Sequence, residues 1–311
     1  MDVLVGQGGQ VDPAHVAVYP DHRRQARGNM KVGRLVLDRK GQQFGDIHRG
    51  GLAAGLGLSG EIRASEPMLY STAPTAQIRA LEDYKSGISA RLQILSARIA
   101  RAAVEAGRDP AEVRLLAVSK TWPVESLRDA AAGGQTAFGE SYVQEAVGKI
   151  EALSDLGLEW HFIGPLQGNK TRPVANAFSW VHSVDRIRIA QRLSEQRDVY
   201  LPPLQVCIQV NVSGEESKSG VSPEALPELA RAVAALPRLA LRGLMTIPEP
   251  SPDVTVQRAR FASLRHLRDA LNNGGMSLDT LSMGMSDDLE AAIAEGATIV
   301  RVGTAIFGSR A

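Results

Sequence analysis

DTLSMGMSDDLEAAIAEGATIVRVG, residues 279–303, sets two short β-rich runs, DTLSMG (279–284) and TIVRV (298–302), on either side of a helical stretch at 287–295. An apolar run closed by glycine, an amphipathic segment and a second apolar run describe two parallel strands joined by a crossover helix. The same alternation extends back along the chain. Strands are predicted at 113–119, 136–139, 159–163, 179–183, 204–212 and 241–247, with helices between them, for example at 123–132, 185–197, 222–236 and 253–272. Strict alternation implies a parallel sheet covered by helices. Eight βα units in roughly 200 residues favour a closed (β/α)8 TIM barrel over an open doubly wound sheet. The open sheet would carry Gly-x-Gly-x-x-Gly after its first strand, and none is present there. Ahead of the barrel, Ile78, Leu81, Ile88, Leu92, Leu95 and Ile99 recur at helical spacing and mark an extra N-terminal helix, which Gly107 and Pro110 stop.

Residues 1–76 read differently. They are glycine-rich, without sustained period 2.0 or 3.6, and GGLAAGLGLSG (50–60) is too interrupted for a stable helix. We expect this segment to be disordered or to precede the true start, Met68 being the candidate, with the folded domain at 77–311. The net charge of +1, from 35 basic and 34 acidic residues, gives no global field toward nucleic acid or anionic lipid. No stretch reaches the roughly 18 apolar residues of a membrane span. The single cysteine, Cys207, lies in LQVCIQV, cannot form an intramolecular disulfide and reads as a buried small hydrophobe, which fits a reducing cytoplasm.

In such barrels chemistry sits at the C-terminal strand ends. After strands seven and eight, Gly284 and Ser286 in MGMSDD are matched one unit later by Gly303 and Thr304 in RVGT. Glycines and hydroxyls at helix N-termini supply amide donors, short side-chain donors and a favourable dipole end, which is what a phosphate needs. Ser286 reads as the cap of the following helix, and Asp287 and Asp288 as first-turn acids facing away. LLAVSKTW (115–122) closes an apolar strand on Lys120. An amine at the barrel mouth beside a phosphate site can be partly desolvated and become a nucleophile toward carbonyls. Phosphate plus such an amine suggests pyridoxal phosphate or a phosphorylated sugar. Arg301 could reach a pyridine nitrogen, where a guanidinium opposes ring protonation and weakens the ring as an electron sink.

LLAVSKT (115–121), FGESYVQEA (138–146), WHFIGPLQGNKT (160–171), HSVD (182–185), QVNVSGEESKSG (209–220), GLMTIP (243–248) and the block 281–308 together resemble the pyridoxal phosphate homeostasis protein family, small relatives of the alanine racemase N-terminal barrel. The resemblance implies that pyridoxal 5'-phosphate (PLP) is held as a Schiff base on Lys120, with Arg301 at the pyridine nitrogen and Ser286, Gly303 and Thr304 on the phosphate. By position it also implies that His182, Asn211 and Met245 line the ring. Ser141 and Gly168 depart from the family's usual Asn and Ser. Residues 1–76 lie outside the resemblance.

A racemase on this fold needs a second acid/base opposite the lysine, a tyrosine in the alanine racemases. Of the five tyrosines only Tyr142 falls at a predicted strand end, and nine residues after strand eight leave no room for the racemases' β domain. The expectation is therefore a monomeric carrier that buffers PLP and exchanges it with PLP-dependent apoenzymes. Weak amino acid racemase activity is the alternative; a Schiff-base aldolase, which usually has its lysine on strand six, ranks third. Lys218 in EESKSG reads as a solvated loop lysine or a second exchanging amine. His161, His182 and Cys207 lack metal-ligand spacing, so no metal is expected.

Overall fold

The eight predicted strands form one closed parallel barrel in chain order, β1 to β8. The computed structural model describes residues 87–214 and 219–308; the expectations for residues 1–76 and Lys218, and the predicted helix positions Ile78 and Leu81, lie outside them. The strands are β1 (Arg114–Val118), β2 (Ala137–Glu140), β3 (Glu159–Phe162), β4 (Trp180–Val184), β5 (Leu204–Gln209), β6 (Leu239–Met245), β7 (Thr280–Ser282) and β8 (Ile299–Val302). The helices are α1 (Ile88–Glu105), α2 (Val124–Ala132), α3 (Val143–Ala152), α4 (Thr171–Ala177), α5 (Ile187–Gln196), α6 (Leu226–Ala234), α7 (Val254–Asn273), α8 (Leu289–Ala294) and α9 (Thr304–Phe307). Closure comes from β1 pairing with β8, Leu116 opposite Arg301 and Ala117 opposite Val302.

Period-2 side-chain direction divides each strand between two cores. Ala117, Phe138, Phe162, Val181, Val206, Leu244, Leu281 and Val300 join the helices in the large outer core. Their neighbours fill the interior in small sets, Leu116 with Ala137 and Ile299, and Trp180 with Cys207 and Met245. Both faces are therefore buried, which explains why the strands read as nearly continuous apolar runs.

α1 lies outside the barrel, burying Leu92, Leu95, Ile99, Ala102 and Ala103 and packing against α8, α2 and α9. Gly107 ends it at φ 69, with Gly107 N–H on Val104 O and Arg108 N–H on Ala103 O. That pair of bonds is a Schellman motif, whose left-handed position favours glycine. At the N-terminus of α7, the longest helix among the described residues, the Asp253 carboxylate accepts the Thr255 amide at 2.8 Å. Asp253→Ala is expected to cost about 1 kcal/mol, read as a lower urea midpoint at unchanged slope. Among the described residues no helix is long and apolar enough to cross a membrane.

Candidate functional site

The inward register of several strands runs on past their ends into a cavity at the C-terminal mouth. Leu116 and Val118 of β1 lead to Lys120 in the turn beyond it, Ala137 and Gly139 lead to Ser141, His161 to Ile163, and Arg301 to Gly303. A cavity of about 490 Å³ is lined by Val118, Lys120, Ser141, Ile163, Ile247, Met285, Ser286, Asp287, Arg301, Gly303, Thr304, Ala305 and, from α1, Arg98. That volume is within the usual range for small-molecule and cofactor sites.

Arg301 is the buried floor of this cavity. Its Nη1 donates to Ser282 Oγ and its Nη2 to the Thr246 carbonyl, both at 2.8 Å. From there a polar chain runs through the barrel interior. Ser282 Oγ lies 2.8 Å from His182 Nδ1, His182 Nε2 lies 2.9 Å from His161 Nδ1, and His161 Nε2 lies 2.7 Å from Glu159 Oε1. Glu159 is held from the other side by Arg114 in a bidentate pair at 2.9 and 2.8 Å. A carboxylate can only accept, so His161 donates to Glu159 from Nε2 and uses Nδ1 as acceptor. His182 then donates from Nε2 and receives the Ser282 hydroxyl on Nδ1, leaving Ser282 Oγ to accept from Arg301. Every donor from Arg301 to Glu159 points the same way.

The electrostatics agree with that polarity. Burial lowers the His161 pKa, against the raising effect of Glu159. Burial, with Arg301 and Arg114 adding positive field, holds His182 well below the imidazole range, so both rings are neutral at neutral pH. The hydrogen bond from His161, with Arg114 beside it, takes Glu159 down to about 2 despite burial. Burial draws Arg301 down to about 10, which still leaves it a cation at neutral pH.

Lys120 sits in a tight turn in which the Trp122 amide donates to the Ser119 carbonyl at 3.1 Å. Thr121, the third residue of the turn, has φ 68, the conformation that a type II turn reserves for glycine or asparagine. In a β-branched residue it stores roughly 1–3 kcal/mol of strain. A buried cluster beneath the turn accounts for its persistence. Lys149 Nζ, on α3, donates to the Ser119 carbonyl at 2.7 Å, to Glu140 Oε1 at 2.8 Å and to Glu145 Oε1 at 2.5 Å. Glu145 Oε1 also accepts the Thr121 amide at 2.5 Å, and the Ser119 hydroxyl donates to Glu140 Oε1 at 2.7 Å. Glu140 is fully buried and its Oε2 has no hydrogen-bond partner; burial raises its pKa against the pull of Lys149. Trp122 continues the turn by stacking on Phe307, 5.6 Å between centroids, tying it to α9.

Of the residues singled out in the sequence, the fold brings Lys120, Ser286, Arg301, Gly303 and Thr304 to one cavity wall. His182 lies inside the barrel beneath Arg301, and Met245 is buried against Trp180 and Cys207. Asn211 borders a separate cleft with Gly214 and Gly220, where its Oδ1 accepts the Gly214 amide at 3.1 Å. Three expectations about the strand-seven turn are corrected. Asp288, not Ser286, precedes α8, and its carboxylate accepts the Met285 amide, which leaves Ser286 on the turn facing the cavity. Asp287 does not face away but joins the wall, because the helix begins two residues later than the acid and Arg98 supplies an opposite charge. Gly284, at φ 94, is off the wall; a Cβ there would meet Ala292 Cβ at 2.6 Å, so close packing of α8 requires it. Arg98, bidentate to Glu290 at 2.5 and 2.7 Å, escaped sequence reading because helical periodicity reports the buried face of α1 and not the edge that reaches the mouth.

This barrel and mouth define the class described by the alanine racemase N-terminal domain, whose family profile matches residues 91–311. A pyridoxal phosphate homeostasis protein of Pseudomonas aeruginosa is 64% identical over 225 residues, 72% of this chain and 96% of that protein. The Escherichia coli K12 protein of the same name is 54% identical over 216 residues, 68% of this chain and 92% of its own length. The structure of Synechococcus elongatus PipY with PLP bound superposes with a TM-score of 0.63 at 37% identity, covering 71% of this chain and all of that one. The chain belongs to the pyridoxal phosphate homeostasis protein family.

Proposed function

We propose that this chain binds pyridoxal 5'-phosphate through Lys120 and serves PLP homeostasis as a carrier or buffer. The observation that carries the reading is the meeting, in one cavity, of an amine, a buried guanidinium and a cluster of short hydroxyl and backbone donors. Those groups fit PLP: Ser286, Gly303 and Thr304 would hold its phosphate, Arg301 would face its ring, and Lys120 would take the aldehyde. As the first residues of a turn, Thr304 and Ala305 have amides with no preceding helical carbonyl to bond, which suits an anion. Bound there, the cofactor supplies an aldehyde that condenses with an amine, releasing water, and a ring able to accept electrons. Arg301 limits the second property, since a cation beside the pyridine nitrogen opposes its protonation.

The carrier reading is supported over the racemase one by the composition of the wall. Tyr142 is 55% exposed and off the wall. The one carboxylate there, Asp287, belongs to the same turn as Ser286, on the phosphate side. We place the protein in the cytoplasm as a monomer exchanging PLP with apoenzymes.

Absorbance titration tests the assignment. Pyridoxal, lacking the phosphate, is expected to bind at least about tenfold more weakly than PLP, and inorganic phosphate to compete. Equal affinity for the two would remove Ser286, Gly303 and Thr304 from the site. Incubation with amino acids in deuterated water is expected to show no stereospecific α-proton exchange; exchange would promote the racemase.

A further inference from the structure

The geometry points to Glu145 and Lys149 of α3 as positioning residues that hold the backbone around Lys120 in the one conformation that aims its side chain into the cavity. This rests on the reading of Lys120 as the amine that takes PLP. The two side chains grip the two peptide groups that flank that residue. Lys149 Nζ binds the Ser119 carbonyl, which belongs to the peptide before Lys120, and Glu145 Oε1 binds the Thr121 amide, which belongs to the peptide after it. Neither peptide can rotate without breaking one of these bonds.

The conformation so held is one the turn would not keep by itself. Thr121 at φ 68 would relax to negative φ if released, and the loosened backbone on either side of Lys120 would no longer hold its Cα–Cβ bond on one bearing. Strain of this kind persists only where surrounding structure over-determines it, and it gathers at functional sites. The cluster is built for that load. The Lys149 ammonium has all three protons engaged, on Ser119, Glu140 and Glu145, and Glu140 is fully buried with one oxygen unpaired. If the lysine and glutamate served only to join α3 to the barrel, a single ion pair would suffice and the peptides of the turn would not be their partners.

Glu145→Ala removes the acceptor of the Thr121 amide and leaves the Lys149–Glu140 pair in place, so the protein is expected to fold. PLP is titrated into wild type and variants, with lysine-bound cofactor read by absorbance and total binding by dialysis. Releasing the turn lowers the competent fraction, and apparent affinity falls in proportion. Loss of the Thr121 bond, with the Lys149–Glu145 pair removed beside it, is expected to weaken lysine-bound PLP about tenfold. Glu145→Gln, which keeps a carbonyl oxygen for the Thr121 amide, is expected to remain within about twofold. Glu145→Ala in the Lys120→Ala background should leave non-covalent PLP affinity where Lys120→Ala alone puts it. Lys149→Met combined with Glu140→Gln, which removes the cation and neutralises its buried partner together, is expected to reproduce the tenfold loss. A folded Glu145→Ala protein with wild-type affinity overturns the inference, as does an equal loss with and without Lys120. Persistence of lysine-bound absorbance in Lys120→Ala instead overturns the reading of Lys120, and this inference with it.

Discussion

Lys120→Ala is expected to lose covalent retention of PLP altogether. After borohydride reduction and digestion, wild-type protein should carry the cofactor mass on the peptide containing Lys120 and the variant should carry none. The expectation follows from placement. Lys120 stands in the turn just beyond the inward residues Leu116 and Val118 of β1, it lines the cavity, and it is the lysine among the wall residues. Neither of the other described lysines lines this cavity: Lys149 is buried among three acceptors on α3, and Lys170 lies elsewhere. The variant should still bind PLP without the bond, through Ser286, Gly303, Thr304 and Arg301, so dialysis separates retention from recognition. An adduct that simply moves to Lys218 would sink Lys120 as the unique covalent attachment point.

Stability is expected to fall as pH drops below about 6.5, the ordinary imidazole value, because two neutral histidines are buried within the barrel. The sign follows from proton uptake. Burial depresses His161 and His182 in the native state, so below that pH the unfolded chain binds protons that the folded chain refuses. Each such histidine can remove up to about 1.4 kcal/mol per pH unit until its native pKa is reached. Other groups act elsewhere or in the opposite sense. Glu159, held at about 2, contributes stability above the ordinary carboxylate range that is lost only as pH falls from there toward 2. Glu140, Asp185 and Asp288 are raised by burial, so acid relieves rather than adds to their cost. His182→Gln isolates the histidine contribution, since an amide can bridge Ser282 and His161 without titrating. Urea unfolding between pH 7.5 and 5.5 should show a shallower pH slope in that variant. Identical slopes would mean that the chain is hydrated or already protonated.

The fold was legible because alternation of apolar runs with amphipathic segments is a local property that eight repeats make unambiguous. Five wall residues, Lys120, Ser286, Arg301, Gly303 and Thr304, were legible because a strand end in such a barrel is a place as well as a sequence position. Depth was not. His182 and Met245 sit on inward positions, but whether an inward side chain ends in the mouth or beneath it depends on register and strand tilt around the barrel. β5 and β6 shift register between Val206 and Cys207, and β4 and β5 between Val181 and Val184, which a linear reading does not display. The cluster beneath Lys120 escaped for another reason. Glu145 and Lys149 read as an ordinary i,i+4 pair on a helix, commonly a solvated surface feature, and only the fold lays that pair against the turn after β1.

Pairing of β1 with β8 has a consequence for the order of events during synthesis. Lys120 is made early and Arg301, Gly303 and Thr304 late, and they become neighbours only when the last strand zips against the first. A growing chain that has completed α8 therefore has the amine and Ser286 but lacks the guanidinium and the other two residues proposed for the phosphate, Gly303 and Thr304. Cofactor capture cannot guide the early stages of folding; it can only reward a ring that has already shut, which makes its onset a natural clock for the completion of this long-range contact.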